Sequence, residues 1–86
     1  MDKLYVYDGA IYNGSVIFKR VKLYKYASSK RQAMMLFIKD IHKEYGHNGL
    51  YLDERDLYVP LEKCKYFKQA YDIVSRYKYP VVFEVL

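Results

Sequence analysis

Residues 4–26 read LYVYDGAIYNGSVIFKRVKLYKY and contain the strongest strand and turn signals of the chain. Leu4 to Tyr7 is rich in the aromatic and branched residues that favour β-strands. Asn13-Gly14 is a strong signal for a hairpin turn, and the run from Ser15 to Tyr26 supplies the returning strand. The sequence therefore predicts a β-hairpin here, while leaving its register open.

Two helices are expected after the hairpin. Ser28 or Ser29 can cap the first by accepting an amide hydrogen bond, and Gly46 stands where a left-handed C-terminal cap is expected. Pro60 can open the second helix at its first turn. The predicted ranges are residues 29–45 and 61–76. Their apolar faces at helical spacing are Met34, Phe37 or Ile38, Ile41 and Tyr45 in the first, and Leu61, Cys64, Phe67, Tyr71 and Val74 in the second.

The remaining segments complete a small sheet. Leu50-Tyr51-Leu52 and Leu57-Tyr58-Val59 resemble short strands around a charged turn, although residues 50–59 stay ambiguous. Residues 81–86 are apolar enough for a central strand. The predicted fold is a single α+β domain over residues 1–86, with two helices packed on one face of a small, largely antiparallel sheet, in the order β-β-α-(β)-α-β.

Amino-acid composition indicates the cellular compartment in which this chain is expected. The 86 residues are 52% hydrophobic, which argues against disorder, and they carry a net charge of +5. The lone Cys64 cannot form an intramolecular disulfide and fits a reducing compartment. No apolar run approaches the roughly 18 residues of a membrane span, and the first residues lead into strand-like sequence rather than a signal peptide. We therefore expect a cytoplasmic protein with no membrane partner.

A basic and aromatic stretch is the strongest functional signal. No acidic residue occurs between Gly9 and Lys39, while cations and aromatic residues alternate there. If the helices cover the side of Leu4, Val6, Ile17, Val21 and Leu23, the opposite side of the sheet stays open. The candidate binding residues on this surface and just beyond it are Tyr5, Tyr7, Phe18, Arg20, Lys22, Tyr24, Lys25, Tyr26, Lys30 and Arg31.

Such a face admits more than one ligand. Aromatic rings can stack on bases while neighbouring cations hold phosphates, as on the sheet of an RNA-recognition motif. However, the element order differs from that family, and its glycine-flanked aromatic octapeptide does not occur. Tyrosine and arginine also dominate protein interfaces, and aromatic pairs stabilise sheets by themselves. A protein partner, a second copy, a nucleic acid and a purely structural surface all remain open.

Catalytic and metal-binding patterns are weak in this sequence. His42 and His47 could serve as acid and base in a small basic ribonuclease of the toxin type. Cys64 has the spacing of a core residue, and the cluster Asp53, Glu54 and Asp56 lacks the ligand pattern of a calcium loop. No phosphate-binding glycine loop occurs. We therefore expect no catalytic residue, no metal site and no cofactor.

Residues Tyr5 to Tyr12, the strand after them, and the segment Ala27-Ser28-Ser29-Lys30-Arg31-Gln32-Ala33 resemble short orphan proteins of phages and mobile elements. An excess of lysine over arginine and abundant tyrosine suit AT-rich bacterial hosts. The resemblance implies a non-enzymatic anti-defence protein, such as an anti-CRISPR inhibitor, that binds a host protein or ribonucleoprotein complex in the bacterial cytoplasm. The alternatives are direct RNA or DNA binding by the same face and, third, the ribonuclease.

Overall fold

The computed structural model describes residues 2–76 and 82–86. Within these ranges the expected α+β class is confirmed: two α-helices accompany a five-stranded sheet whose strand pairs are antiparallel. The predicted contribution of Val81 to the last strand lies outside the described residues. The elements are β1 (Lys3–Asn13), β2 (Val16–Ala27), α1 (Lys30–Tyr45), β3 (Leu50–Leu52), β4 (Leu57–Tyr58), α2 (Phe67–Arg76) and β5 (Val82–Val85).

The sheet is built on the long β1–β2 hairpin. Its strand order is β3-β1-β2-β5, and β4 pairs with β1 beside β3. Both ambiguous segments of residues 50–59 are therefore strands, separated by a 3-10 turn over Glu54–Asp56. Gly9 permits this turn to cross β1, since a Cβ atom there would lie 2.9 Å from the Cβ of Asp56.

A β-bulge in the hairpin sets which side chains share a face. Gly14 takes a positive φ of 64° at the turn, and pairing begins with Asn13 opposite Val16 and Tyr12 opposite Ile17. Beyond a register shift, Ile11 pairs with Lys19, so Phe18 has no partner in β1. An extra residue in one strand exchanges the faces of everything that follows it.

Helix α1 closes one face of the sheet as the sequence indicates. Ser29 is its N-cap and accepts a hydrogen bond from the Gln32 amide at 3.1 Å, and Gly46 ends it in the left-handed conformation at φ 63°. Ala33, Phe37 and Ile41 are buried. They pack on one cluster with the side chains of Tyr5, Tyr7, Ile11, Val21 and Leu23 from the hairpin.

Helix α2 contacts the opposite face. It starts at Phe67 rather than near residue 61, because Pro60–Lys63 forms a 3-10 turn that ends at Cys64. From α2, Ile73 packs against a second cluster of Leu4, Val6 and Tyr24. Val6 and Tyr24 are cross-strand partners, and they alternate with the residues under α1. The helices therefore lie against opposite faces of the sheet, whereas the sequence predicted both helices on the same face.

Candidate interaction surface

Three tyrosines predicted to form an open binding face are buried instead. Tyr5 is 6% exposed, Tyr7 is fully buried, and Tyr24 is 2% exposed. The bulge at Phe18 explains why these tyrosines are buried. It places Tyr5 and Tyr7 beside Val21 and Leu23 under α1, and it leaves Tyr24 on the other face, near α2. These rings belong to the core.

Tyr7 also has a structural hydrogen-bonding role. Its hydroxyl donates to the backbone carbonyl of Ala10 and accepts a hydrogen bond from the Asp53 amide at 3.1 Å. Burial away from water raises the pKa of Tyr7 to about 12, because the charged phenolate would be poorly solvated there. The hydroxyl thus joins β1 to the segment that follows β3.

The predicted cations do not form one surface. Lys25 faces α1 and pairs with Asp40 at 2.9 Å, with both side chains largely shielded from solvent. Lys30 and Arg31 are exposed in the first turn of α1. The cations of β2 after the bulge are thereby divided between the two sides of the sheet.

Arg20 and Lys22 lie on the face that α2 partly covers. Arg20 is exposed and pairs with Ala10 across the hairpin. Lys22 stands between Asp8 of β1 and Glu84 of β5 in the register, and its ammonium lies 5.8 Å from the centre of the Tyr24 ring. Tyr26 is half-buried and packs against the second cluster. Arg20 carries positive charge on this face towards the hairpin turn.

Apolar side chains gather instead at the turn end of the hairpin. Val16 is 65% exposed and Ile17 is 46% exposed. Tyr12, opposite Ile17, stacks on Tyr51 with ring centroids 5.6 Å apart and planes inclined by 25°. The Tyr51 hydroxyl donates to the Gly14 carbonyl, which ties β3 to the turn. We call Tyr12, Val16, Ile17 and Tyr51 the hairpin-tip patch.

Phe18, one of the predicted binding residues, borders this patch on the α1 side. Its ring contacts Tyr45 edge-on at 5.2 Å between centroids, and the ammonium of Lys19 lies 5.5 Å from the same tyrosine ring. The bulged residue therefore partly anchors the hairpin to the end of α1, while it stays 38% exposed.

The two histidines contact backbone atoms. The Nε2 atom of His42 lies 2.8 Å from the Leu50 carbonyl oxygen, which connects α1 to β3. The exposed His47 accepts a hydrogen bond at Nδ1 from the Gly49 amide at 3.0 Å. Within the described ranges, no group of three histidine, cysteine or acidic side chains is placed to hold a metal ion.

The acidic cluster forms a capped turn. Asp53 caps the 3-10 turn by accepting the Arg55 amide, and its carboxylate is held by the Arg55 guanidinium at 2.7 Å. The hydrogen bonds from Arg55 lower the pKa of Asp53 to about 2.

Among the helices of residues 2–76 none is long and apolar enough to cross a bilayer.

A second exposed surface was missed because its residues have helical core spacing. Phe67, Tyr71 and Val74 were predicted to be buried, yet they are 85%, 63% and 44% exposed. On the face of the sheet that α2 contacts, the cluster of Leu4, Val6 and Tyr24 packs against Ile73 instead. The informative signal was the presence of three lysines around two aromatic residues in Lys63-Cys64-Lys65-Tyr66-Phe67-Lys68, because lysine is rare in buried segments.

Comparison with known proteins adds no relative: no family model, no curated protein and no solved structure matches this chain.

Proposed function

We propose that this chain is a non-enzymatic binding protein that docks on a partner protein through the hairpin-tip patch. The observation that supports this best is the exposure of Ile17 beside the stacked rings of Tyr12 and Tyr51, together with the exposure of Val16 on the other side of the same hairpin end. Contiguous exposed apolar patches mark interaction sites in soluble proteins.

The chemistry of the patch favours a protein over a nucleic acid. Aliphatic side chains such as Ile17 offer no flat surface on which a base could stack. Tyrosine anchors next to an exposed arginine, here Arg20, are characteristic of protein hot spots. Because Arg20 is exposed on the same face as Tyr12, we expect an acidic group beside the apolar centre of the partner's docking face.

The proposed biological setting follows the resemblance to short phage proteins. An anti-defence inhibitor of this kind would occupy a host nucleoprotein complex in the bacterial cytoplasm and block it by occlusion. We also propose that it acts without catalysis, since the His42 ring is engaged with the Leu50 carbonyl. Direct RNA or DNA binding by the same surface is the competing function, because Arg20 shares a face with Tyr12.

A pair of valines provides a matched test. Val16 and Val85 are both strand residues, exposed by 65% and 63%, but only Val16 belongs to the patch. The wild-type protein is used to isolate a partner from nuclease-treated host lysate, and the complex is rebuilt from the purified, identified partner. We expect Val16→Asp to weaken that complex at least tenfold and Val85→Asp to leave it unchanged.

Two results would contradict the proposal. Equal weakening by both valine substitutions would show that the patch has no special role. A complex that forms only when nucleic acid is present, and that does not re-form from purified protein components, would support the nucleic-acid function instead.

A further inference from the structure

The most exposed aromatic rings of the described chain lie on α2 and just before it. Phe67 is 85% exposed, Tyr66 is 69% exposed and Tyr71 is 63% exposed. The rings of Phe67 and Tyr71 run side by side, with centroids 6.4 Å apart and planes inclined by 29°. We call these three residues the α2 aromatic surface.

This surface is not needed to hold α2 in place. The contact with the sheet is made by Ile73, which packs against the cluster of Leu4, Val6 and Tyr24. In a helix, Phe67 and Tyr71 are one turn apart and share a side that differs from that of Ile73. Three neighbouring aromatic rings that are largely exposed form the kind of apolar patch that marks an interaction site.

The charges around the surface select an anionic ligand. Residues 63–76 carry Lys63, Lys65, Lys68 and Arg76 against the single acid Asp72. All four cations are exposed. A second copy of the chain would bring two surfaces of the same positive charge together, which opposes self-association through this side.

The shape of the apolar groups narrows the ligand further. A helix that lies on an anionic membrane inserts a continuous apolar face into the bilayer. Here the aliphatic Ile73 packs on the sheet, and the most exposed rings are two tyrosines and one phenylalanine among lysines. Flat rings between lysines match unpaired bases between phosphates, where stacking tolerates any base and lysines neutralise the backbone. We infer that the α2 aromatic surface binds single-stranded nucleic acid.

This surface is separate from the hairpin-tip patch. Helix α2 packs beside Leu4, whereas the patch includes Tyr12, eight residues further along β1. At about 3.3 Å per residue, Tyr12 lies about 20–26 Å along the strand from Val6 and Leu4, the residues of β1 in the cluster that Ile73 contacts. The molecule is elongated, 40 Å by 23 Å by 19 Å. One molecule could thus contact a partner protein at one end and a single strand at the other.

Binding is tested with the whole protein and fluorescein-labelled oligouridylate and oligothymidylate of about 16 nucleotides, the upper range of one single-strand site. Affinity is measured by anisotropy between about 50 mM and about 200 mM salt. We expect binding that weakens steeply with salt. Phe67→Ala and Tyr71→Ala should each weaken it about tenfold through lost stacking, while Tyr71→Phe should retain it.

A charge reversal on each helix supplies the matched control. Lys68→Glu should weaken binding and flatten the salt dependence, whereas Lys39→Glu, an equal charge change at an exposed position of α1, should have a much smaller effect. The hairpin-tip variant Val16→Asp should bind the oligonucleotides like the wild type. This separates a failure here from a failure of the proposed protein-binding function.

Four results would overturn the inference. The first is no binding at about 50 mM salt, and the second is binding that Phe67→Ala and Tyr71→Ala leave unchanged, which would indicate charge alone. The third is that the protein binds vesicles of phosphatidylserine and phosphatidylcholine but not oligonucleotides, and that Phe67→Ala abolishes the vesicle binding. The fourth is a dimer in sedimentation analysis that the same substitution dissociates. Far-UV circular dichroism confirms that each variant is folded.

Discussion

Replacing Tyr7 with phenylalanine should destabilise the fold while leaving the volume of the core almost unchanged. The side chain is fully buried, and its hydroxyl makes two hydrogen bonds, to the Ala10 carbonyl and from the Asp53 amide. Each hydrogen bond contributes about 1 kcal/mol net, so the free energy of unfolding should fall by about 2 kcal/mol. For a chain of this size the midpoint of thermal unfolding should drop by roughly 8–16 °C.

Urea unfolding of the wild type and of Tyr7→Phe measures this difference directly. Tyr66→Phe is the control, because Tyr66 is 69% exposed and loss of its hydroxyl should change stability by less than about 0.5 kcal/mol. If Tyr7→Phe changed stability as little as this control, Tyr7 would lie on an open face. The interior position derived from the bulged register would then be wrong.

Alkaline pH offers an independent check on the same residue. The pKa of Tyr7 is raised to about 12 in the folded protein, from its ordinary value of 10.0. The stabilising contribution of the neutral hydroxyl is therefore complete below pH 10 and is lost as the pH rises from 10 through 12. Stability of the wild type should fall faster across this interval than that of Tyr7→Phe, and parallel curves would argue against the burial of this group.

Two further substitutions test contacts that the sequence did not reveal. Gly9→Ala should destabilise the fold by about 1–3 kcal/mol, since the new Cβ would lie 2.9 Å from the Cβ of Asp56. Urea unfolding measures this change in stability. If the close approach is the cause, the double variant with Asp56→Gly should recover much of the lost stability. Lys25→Ala should remove about 1 kcal/mol through the partly buried pair with Asp40. A double-mutant cycle with Asp40→Ala measures this coupling, and a coupling energy near zero would restore Lys25 as a candidate for binding.

Local signals predicted the elements of the fold well. The Asn13-Gly14 turn, the capping serine at Ser29 and the left-handed Gly46 are each short-range features, and the structure confirms the hairpin and α1 at those places. The second helix was harder to delimit. Pro60 does open a helical segment, but this segment is a 3-10 turn that ends before α2 begins.

The candidate site was predicted less well, because its faces depend on a single extra residue. Up to Ile17 the hairpin follows the register expected from its turn, and past the bulge at Phe18 every partner is shifted by one. The sequence contains no glycine or proline there to signal the shift. Tyr5 and Tyr7 consequently moved from a proposed open surface into the core.

Short-range signals in the sequence specify the hairpin and α1, because turn residues, caps and apolar spacing act over a few neighbouring residues. Which aromatic side chains meet solvent depends on long-range packing. Tyr7 and Phe67 both have core-like chemistry, yet one is fully buried and the other is 85% exposed. The reason is that burial depends on what packs opposite a side chain: α1 covers Tyr7, while α2 turns Ile73 towards the sheet and leaves Phe67 in solvent.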